Sequence, residues 1–111
     1  MSQDALGHQG RLVQTLHLQP GNCTVELYAK RLENGALAVA ALNRADVSAT
    51  SVPLNFLNVG VPGGMSVTGV RDLWGGEAVA FDRAGFRVMR LASHDTAMFR
   101  LEIAASASTH A

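Results

Sequence analysis

Short runs in which apolar and polar side chains alternate recur along this chain, and turn-forming residues separate them. In residues 24–32, Val25, Leu27 and Ala29 occupy every second position, with more polar residues between them. Successive side chains of a β-strand point to opposite faces of its sheet, so this period of two predicts a half-buried strand. No segment keeps the period of about 3.6 residues that an amphipathic helix needs. The pattern therefore predicts an all-β fold.

The spacing of these runs predicts about eight strands. They cover residues 11–18, 24–32, 36–42, 50–56, 67–74, 77–81, 86–91 and 97–103. Residues 36–42 are apolar at every position, which predicts a central strand covered on both faces. Pro53 cannot donate to a ladder, so it places its strand at an edge. Some of these strands are thus predicted to be covered on one face and others on both. This difference favours an antiparallel β-sandwich with Greek-key-like connections over a closed barrel.

Two of the runs carry more specific expectations. Leu12, Leu16 and Leu18 recur on even positions of the first run, which predicts one shared buried face. Val88 and Met89 interrupt the alternation of the run at residues 86–91, which predicts a β-bulge at that point.

Two pairs of residues have the composition of tight hairpin turns. Asn34-Gly35, which follows Glu33, is the strongest short hairpin signal in the sequence, and Gly75-Gly76 suits a two-residue loop in which the backbone needs positive φ angles. The second pair would join the strand that ends at Trp74 to the strand at residues 77–81. We interpret both pairs as structural turns.

The domain organisation follows from length and local composition. A chain of 111 residues suffices for one domain, which would bury roughly 65% of the unfolded surface. Residues 1–10 are polar and lack a period, so we interpret them as a strap or linker that leads into the domain. We expect residues 11–104 to form the sandwich and residues 105–111 to be a disordered tail of small side chains.

The charge and hydropathy patterns argue against nucleic acid and membranes as partners. Nine Lys and Arg residues balance nine Asp and Glu residues, so no strong field attracts a polyanion. No apolar run approaches the ~18 residues needed to cross a bilayer, and Met1 does not open a signal peptide, so the compartment stays undetermined. Asn22 begins an N-glycosylation tripeptide and is a candidate glycosylation site in an exported protein.

No catalytic, metal-binding or cofactor-binding residue is predicted. The carboxylates fall mostly in turns or on polar strand faces. Ser93-His94-Asp95 contains the residue types of a catalytic triad, but three consecutive residues cannot align a hydroxyl, an imidazole and a carboxylate. The histidines lack metal-ligand spacing, Cys23 is the single cysteine, and no glycine-rich phosphate loop occurs.

Two aromatic residues are candidates for a ligand contact or an interface. Tyr28 lies on the polar face of its predicted strand, and Trp74 is the only tryptophan. Packing in a core or an interface is favoured over sugar binding, because carbohydrate modules usually present more aromatic faces. A free-standing module that binds carbohydrate or another protein remains an alternative.

Several motifs resemble glycoside hydrolase family 27 α-galactosidases. Gln3-Asp4-Ala5-Leu6-Gly7-His8-Gln9-Gly10-Arg11 is similar to the family segment Asn-Gln-Asp-Pro-Leu-Gly-x-Gln-Gly-Arg, which leads out of the catalytic barrel. The matching positions are Gln3, Asp4, Leu6, Gly7, Gln9, Gly10 and Arg11, and Ala5 replaces the proline. Residues 26–32, 34–35, 38–44 and 70–74 are similar to the family's C-terminal domain in order and spacing.

The resemblance implies a β-sandwich appended to a (β/α)₈ barrel in a retaining glycosidase. The two catalytic aspartates of that family lie in the barrel, and no aspartate of this chain matches them. We therefore expect a non-catalytic accessory domain that packs on and stabilises a barrel absent from this chain. Its barrel-facing patch, if left uncovered, would favour self-association. Whether Met1 is a natural start stays open.

Overall fold

Seven antiparallel strands in two sheets form the part of the chain that a computed structural model describes, residues 10–19, 22–32 and 34–105. The strands are β1 Arg11–Leu18, β2 Cys23–Arg31, β3 Leu37–Asn43, β4 Ala49–Asn55, β5 Met65–Asp72, β6 Gly85–Leu91 and β7 Thr96–Ala105. The larger sheet has the order β1-β2-β3-β7-β5, and the smaller sheet pairs β4 with β6. The predicted all-β sandwich is confirmed. Among these residues, none form a helix long and apolar enough to cross a membrane.

The strand predicted at residues 77–81 is wrong. Only an isolated bridge between Ala78 and Arg71 forms in that described segment. Two further backbone bonds, Asp72 N to Glu77 O at 2.9 Å and Val79 N to Val70 O at 2.9 Å, hold the segment against the edge of β5. The segment therefore covers the β5 edge for about three residues without becoming a strand.

The two-residue loop predicted at Gly75-Gly76 is also wrong, because the chain leaves β5 two residues earlier. The carboxylate Oδ1 of Asp72 accepts hydrogen bonds from the amides of Trp74 at 2.8 Å and Gly75 at 3.3 Å. This side-chain turn ends the strand at Asp72. Of the two glycines only Gly76 has a positive φ, at 77°. Trp74 consequently lies in the loop and not on the strand.

The predicted β-bulge at Val88 and Met89 is wrong as well. The register of β4 and β6 runs without a shift, and the alternation breaks at Arg90, which has a φ of 60°. The register shifts occur elsewhere, between Leu12 and Gln14 in β1 and in β5. The shift in β1 places Leu12 opposite Tyr28, whereas Leu16 and Leu18 pack on the core. The three leucines therefore do not share one face.

The core lies between the two sheets. Its fully buried members include Val25, Leu27, Val39, Val52, Leu54, Val59 and Leu101. The rings of Phe86 in the smaller sheet and Phe99 in the larger sheet meet edge to face, with centroids 4.9 Å apart. Burying one such aliphatic or aromatic side chain stabilises the fold by roughly 1.5–3 kcal/mol. This layer of contacts holds the two sheets together.

One buried polar side chain crosses between the sheets at the end of β3. Asn43 is 0% exposed. Its Nδ2 donates to the carbonyl oxygens of Val47 at 2.9 Å, Leu91 at 3.1 Å and Ala92 at 3.2 Å. Its Oδ1 accepts from the amide of Ala45 at 2.9 Å. Asn43 thus ties the end of β3 to the end of β6 and to the loop before β4.

Candidate functional site

The face of the larger sheet that points away from the core carries a row of apolar side chains. Partners in an antiparallel pair point to the same side of the sheet. The register pairs Leu12 with Tyr28, Tyr28 with Ala40, and Ala40 with Met98. These four residues, which we call the central apolar row, run across β1, β2, β3 and β7.

The central apolar row combines a buried middle with an exposed end. Ala40 and Met98, together with Ala38, form a buried cluster against which Tyr28 and Leu32 pack. Leu12, at the β1 end, is 51% exposed. At the opposite end, the amide of Leu73 donates to the carbonyl oxygen of Met98 at 2.9 Å, and Leu73 is 38% exposed. The outer face is therefore apolar over most of its width.

A row of basic residues runs beside the central apolar row. The register aligns Lys30 with Ala38, Ala38 with Arg100, and Arg100 with Arg71. The Nε of Arg100 lies 2.5 Å from Oε2 of Glu102. Three cations aligned on one face favour a partner whose contact surface has an acidic rim. Lys30 is also the only lysine in the sequence.

Tyr28 lies on β2, next to the edge strand β1, and is held by a hydrogen bond. Its hydroxyl donates to Oε1 of Glu26 at 2.9 Å, and the same oxygen lies 3.7 Å from Nη1 of Arg44. This hydrogen bond, partial burial and the adjacent carboxylate together raise the pKa of Tyr28 above its ordinary value of 10.0. Tyr28 is therefore a neutral phenol with a fixed ring at neutral pH.

The outer face of the smaller sheet, over its described strands, has no comparable apolar row. Met89 is 61% exposed there and is paired with Ser51. The neighbouring Arg87 pairs with Pro53 and donates from Nη1 to Oγ of Ser51 at 2.8 Å. One exposed methionine among polar neighbours is ordinary surface. The larger sheet is therefore the better candidate for an interaction surface.

Trp74 lies at the other edge of the larger sheet, apart from Tyr28. Strands β3 and β7 separate β2 from β5, a lateral distance of roughly 14 Å. Trp74 is 57% exposed, and its Nε1 donates to the carbonyl oxygen of Thr96 at 2.9 Å. It borders an open groove of about 490 Å³ that His94, Asp95 and Thr96 also line. The two aromatic candidates therefore belong to separate places.

The other residues singled out from the sequence are dispersed. Asn22 is exposed with a φ of 53°, and its glycosylation stays a prediction. Gly35 has a φ of 88° in the turn after β2. Gly10 precedes β1, and Arg11 is the first residue of that strand. Gln3, Asp4, Leu6, Gly7 and Gln9 lie outside the described residues, as do residues 106–111 of the predicted tail, whereas β7 extends to Ala105.

The Ser93-His94-Asp95 segment forms no triad. His94 Nε2 lies 2.8 Å from Oδ1 of Asp46, and both side chains are largely exposed. The carboxylate of Asp95 accepts from the amide of Thr96 at 2.9 Å and so supports the turn. Within residues 10–19, 22–32 and 34–105, no three His, Cys, Asp or Glu side chains are grouped so that they could hold a metal ion.

Sequence reasoning missed the outer-face rows and the buried Asn43. The rows depend on strand register, which short-range alternation does not specify across β3 and β7. The local sequence indicates that Asn43 belongs to a polar turn. Its burial depends on hydrogen-bond partners at Leu91 and Ala92, which lie 48 and 49 residues away and leave no local signal. The apolar run at residues 36–42 was the available sequence signal for the central apolar row, because apolar side chains on both faces of a strand predict that both faces are covered.

Comparison with known proteins points to one family of domains. The family of alpha galactosidase C-terminal beta sandwich domains matches residues 22–101. The crystal structure of a candidate alpha-galactosidase/melibiase from Bacteroides fragilis NCTC 9343 aligns over 80% of this chain with a TM-score of 0.59 and 28% sequence identity. A candidate alpha-galactosidase from the same organism aligns over 84% with a TM-score of 0.56. At 20% identity, this second likeness concerns the fold alone.

The chain corresponds to a small part of these relatives. The aligned region covers 18% of the first Bacteroides protein and 19% of the second. No curated protein sequence matches the chain.

Proposed function

The chain belongs to the family of alpha galactosidase C-terminal beta sandwich domains, and from this premise we propose that it is a non-catalytic accessory domain of an α-galactosidase-like glycosidase of family 27. In this proposal the outer face of the larger sheet packs on a catalytic (β/α)₈ barrel and stabilises it. The observation that carries the proposal is the central apolar row, which runs across four strands of the face opposite the core.

The size of the outer face suits a domain interface. Five strands about 4.8 Å apart and about 20 Å long present roughly 400 Å² of planar surface, before side chains add to it. A stable contact buries about 1,000 Å² or more in total, about half of it on each partner. The outer face therefore supplies about the area that one partner needs.

The chemistry of the face also suits this partner. Leu12 is 51% exposed, so covering its remaining surface gains roughly 1 kcal/mol from apolar burial. Lys30, Arg71 and Arg100 beside it would meet an acidic rim on the barrel, which fixes orientation more than it adds affinity. The exposed ends of this face, Leu12 and Leu73, would thus contribute the apolar burial, and the basic row would fix the register.

The aspartates within the described residues hold turns or lie at the surface, which suits an accessory role. Retaining glycosidases need two carboxyl groups about 5 Å apart, one as nucleophile and one as acid and base. Here Asp72 and Asp82 each accept two amide hydrogen bonds in turns. Asp95 supports the turn before β7, and Asp46 contacts His94. We expect the isolated chain to leave an aryl α-galactoside unhydrolysed.

The single lysine makes the proposed interface measurable. Lys30 lies in the basic row of the outer face, so an amine-reactive reagent should acetylate it readily in the isolated chain. In an extract of the source cells the barrel would cover it, and acetylation should be several-fold slower. Peptide mapping after denaturation separates Lys30 from the N-terminal amine and gives both rates.

A matched control places an amine on the opposite side of the molecule. Arg87 is exposed on the outer face of the smaller sheet, and Arg87→Lys keeps its positive charge. In this variant, expressed in the source cells, the amine introduced at position 87 should react equally fast in the extract and in the isolated chain. Equal rates for Lys30 in both samples would refute the proposed interface.

A further inference from the structure

The loop after β5 holds an exposed aromatic ring in a fixed position. Trp74 donates its only polar side-chain atom, Nε1, to the carbonyl oxygen of Thr96. That carbonyl lies on the side of β7 that faces β5, since the amide of Leu73 bonds the equivalent oxygen of Met98. The indole N–H thus occupies the position where a backbone amide of β5 would bond to β7 if the strand continued. Its remaining exposed surface is carbon, and its orientation is set before any ligand arrives.

Polar groups stand beside this ring. Asp95 lines the groove, and one oxygen of its carboxylate accepts from the amide of Thr96, which leaves the other oxygen as a further acceptor. His94 uses Nε2 for Asp46, which leaves Nδ1 of its ring for a ligand. A carboxylate is a strong acceptor for hydroxyl donors. The groove of about 490 Å³ therefore combines one apolar plane with hydrogen-bonding groups at its rim.

We propose that the groove of Trp74, His94, Asp95 and Thr96 binds a neutral sugar ring, whose C–H face stacks on the indole while its hydroxyls donate to Asp95. The Asp95 carboxylate lines the groove and opposes anionic ligands such as phosphates and sulfated sugars. Quaternary ammonium ions are usually held in cages of several aromatic rings, whereas the described lining of this groove offers one large aromatic plane, that of Trp74, beside the smaller imidazole of His94. A polyol ring with one apolar face fits both features.

This site is independent of the proposed barrel contact. It uses the loop after β5 and the turn before β7, and none of the central apolar row. A hexose has about twelve non-hydrogen atoms, so one shallow site of this kind gives a dissociation constant on the order of millimolar. Such an affinity matters where a polysaccharide offers many sugar rings at once.

The only tryptophan of the chain reports on its own site. Titration of the isolated chain with galactose, melibiose and glucose, followed by Trp74 fluorescence, should give a saturable change with at least one of them. Asp95→Asn keeps the acceptor for the Thr96 amide but removes the charge, and it should weaken binding about three- to tenfold. Leu73→Ala, a neighbour that does not line the groove, should leave the dissociation constant unchanged.

Three results would overturn the proposal. The first is a fluorescence signal that stays flat well above millimolar sugar. The second is saturation by tetramethylammonium without saturation by any sugar, which would assign the groove to cations. The third is sugar binding that Asp95→Asn leaves unchanged. Trp74→Ala, followed by ligand-observed NMR and checked for folding by circular dichroism, should abolish binding. Acetylation of Lys30 is unaffected by these outcomes, so failure of this site and failure of the barrel contact are distinguishable.

Discussion

Replacing Asn43 by alanine should remove the polar link between the two sheets. The Asn43 amide nitrogen has two hydrogens for the three carbonyl oxygens around it, and Oδ1 accepts one amide hydrogen. The side chain therefore supplies about three hydrogen bonds, each worth about 1 kcal/mol net. The expected loss is about 3 kcal/mol, out of the roughly 5–15 kcal/mol that stabilise a domain of this size.

Urea unfolding followed by circular dichroism measures this loss directly. For a domain of about 100 residues, 3 kcal/mol corresponds to a drop in Tm on the order of 10–15 °C. Asn55→Ala is the matched control, because Asn55 is exposed and its side chain accepts one bond, from the amide of Leu57. The control should lose less than about 1 kcal/mol. Equal losses in both variants would refute the role assigned to Asn43.

The isosteric variant Asn43→Asp separates hydrogen bonding from packing. A carboxylate at this buried position would face three carbonyl oxygens, so the folded state favours the neutral acid and raises its pKa above the unfolded value of about 3.9. A raised folded-state pKa means that the stability of the variant relative to the wild type is highest below about pH 4 and falls as the pH rises through the folded-state pKa. A free energy of unfolding that changes with pH as in the wild type would contradict this reasoning.

Three further predictions concern the fold and its outer faces. Gly85→Ala should destabilise by roughly 3 kcal/mol or prevent folding, since the added Cβ would collide with the backbone carbonyl oxygen of Leu54 in β4. In the control Gly69→Ala, the added Cβ would meet its nearest neighbour at 3.8 Å, and the Tm should stay unchanged. If the isolated chain self-associates through the outer face, Leu12→Glu should shift sedimentation toward monomer and Met89→Glu should not; the reverse order would point to the smaller sheet. Absorbance titration should place the pKa of Tyr28 above 10.0. Its hydrogen bond then stabilises the fold below about pH 10, and this stabilisation is lost as the pH rises through the pKa of Tyr28. An ordinary pKa would mean that the hydroxyl is free in solution.

The local alternation of apolar and polar residues correctly predicted strands β2 and β3, whose burial follows directly from that pattern. Val25, Leu27 and Ala29 are buried as expected, and residues 36–42 fall almost entirely within the central strand β3. Alternation with a period of two shows which side chains share a face, so these strands could be predicted without knowing which strands they pair with. The sandwich could therefore be predicted from the sequence.

The wrong predictions of strand ends and of buried faces arose where one side-chain hydrogen bond or one register shift overrides the alternation of apolar and polar residues. The carboxylate of Asp72 ends β5 before the glycine pair, and the shift after Leu12 turns that leucine to the outer face. The Trp74 groove depends on a hydrogen bond to Thr96, 22 residues away. Such long-range contacts have no local signature, which is why the aromatic candidates were found but their surroundings were not.

The central claim is that this domain works as part of an α-galactosidase-like enzyme. Antibodies raised against residues 11–105 should deplete hydrolysis of an aryl α-galactoside from an extract of the source cells. Mass spectrometry of the captured material should find a (β/α)₈ catalytic domain, either in the same polypeptide or bound to it. Capture of an 11.7 kDa chain alone, with the hydrolytic activity left in the extract, would contradict the account.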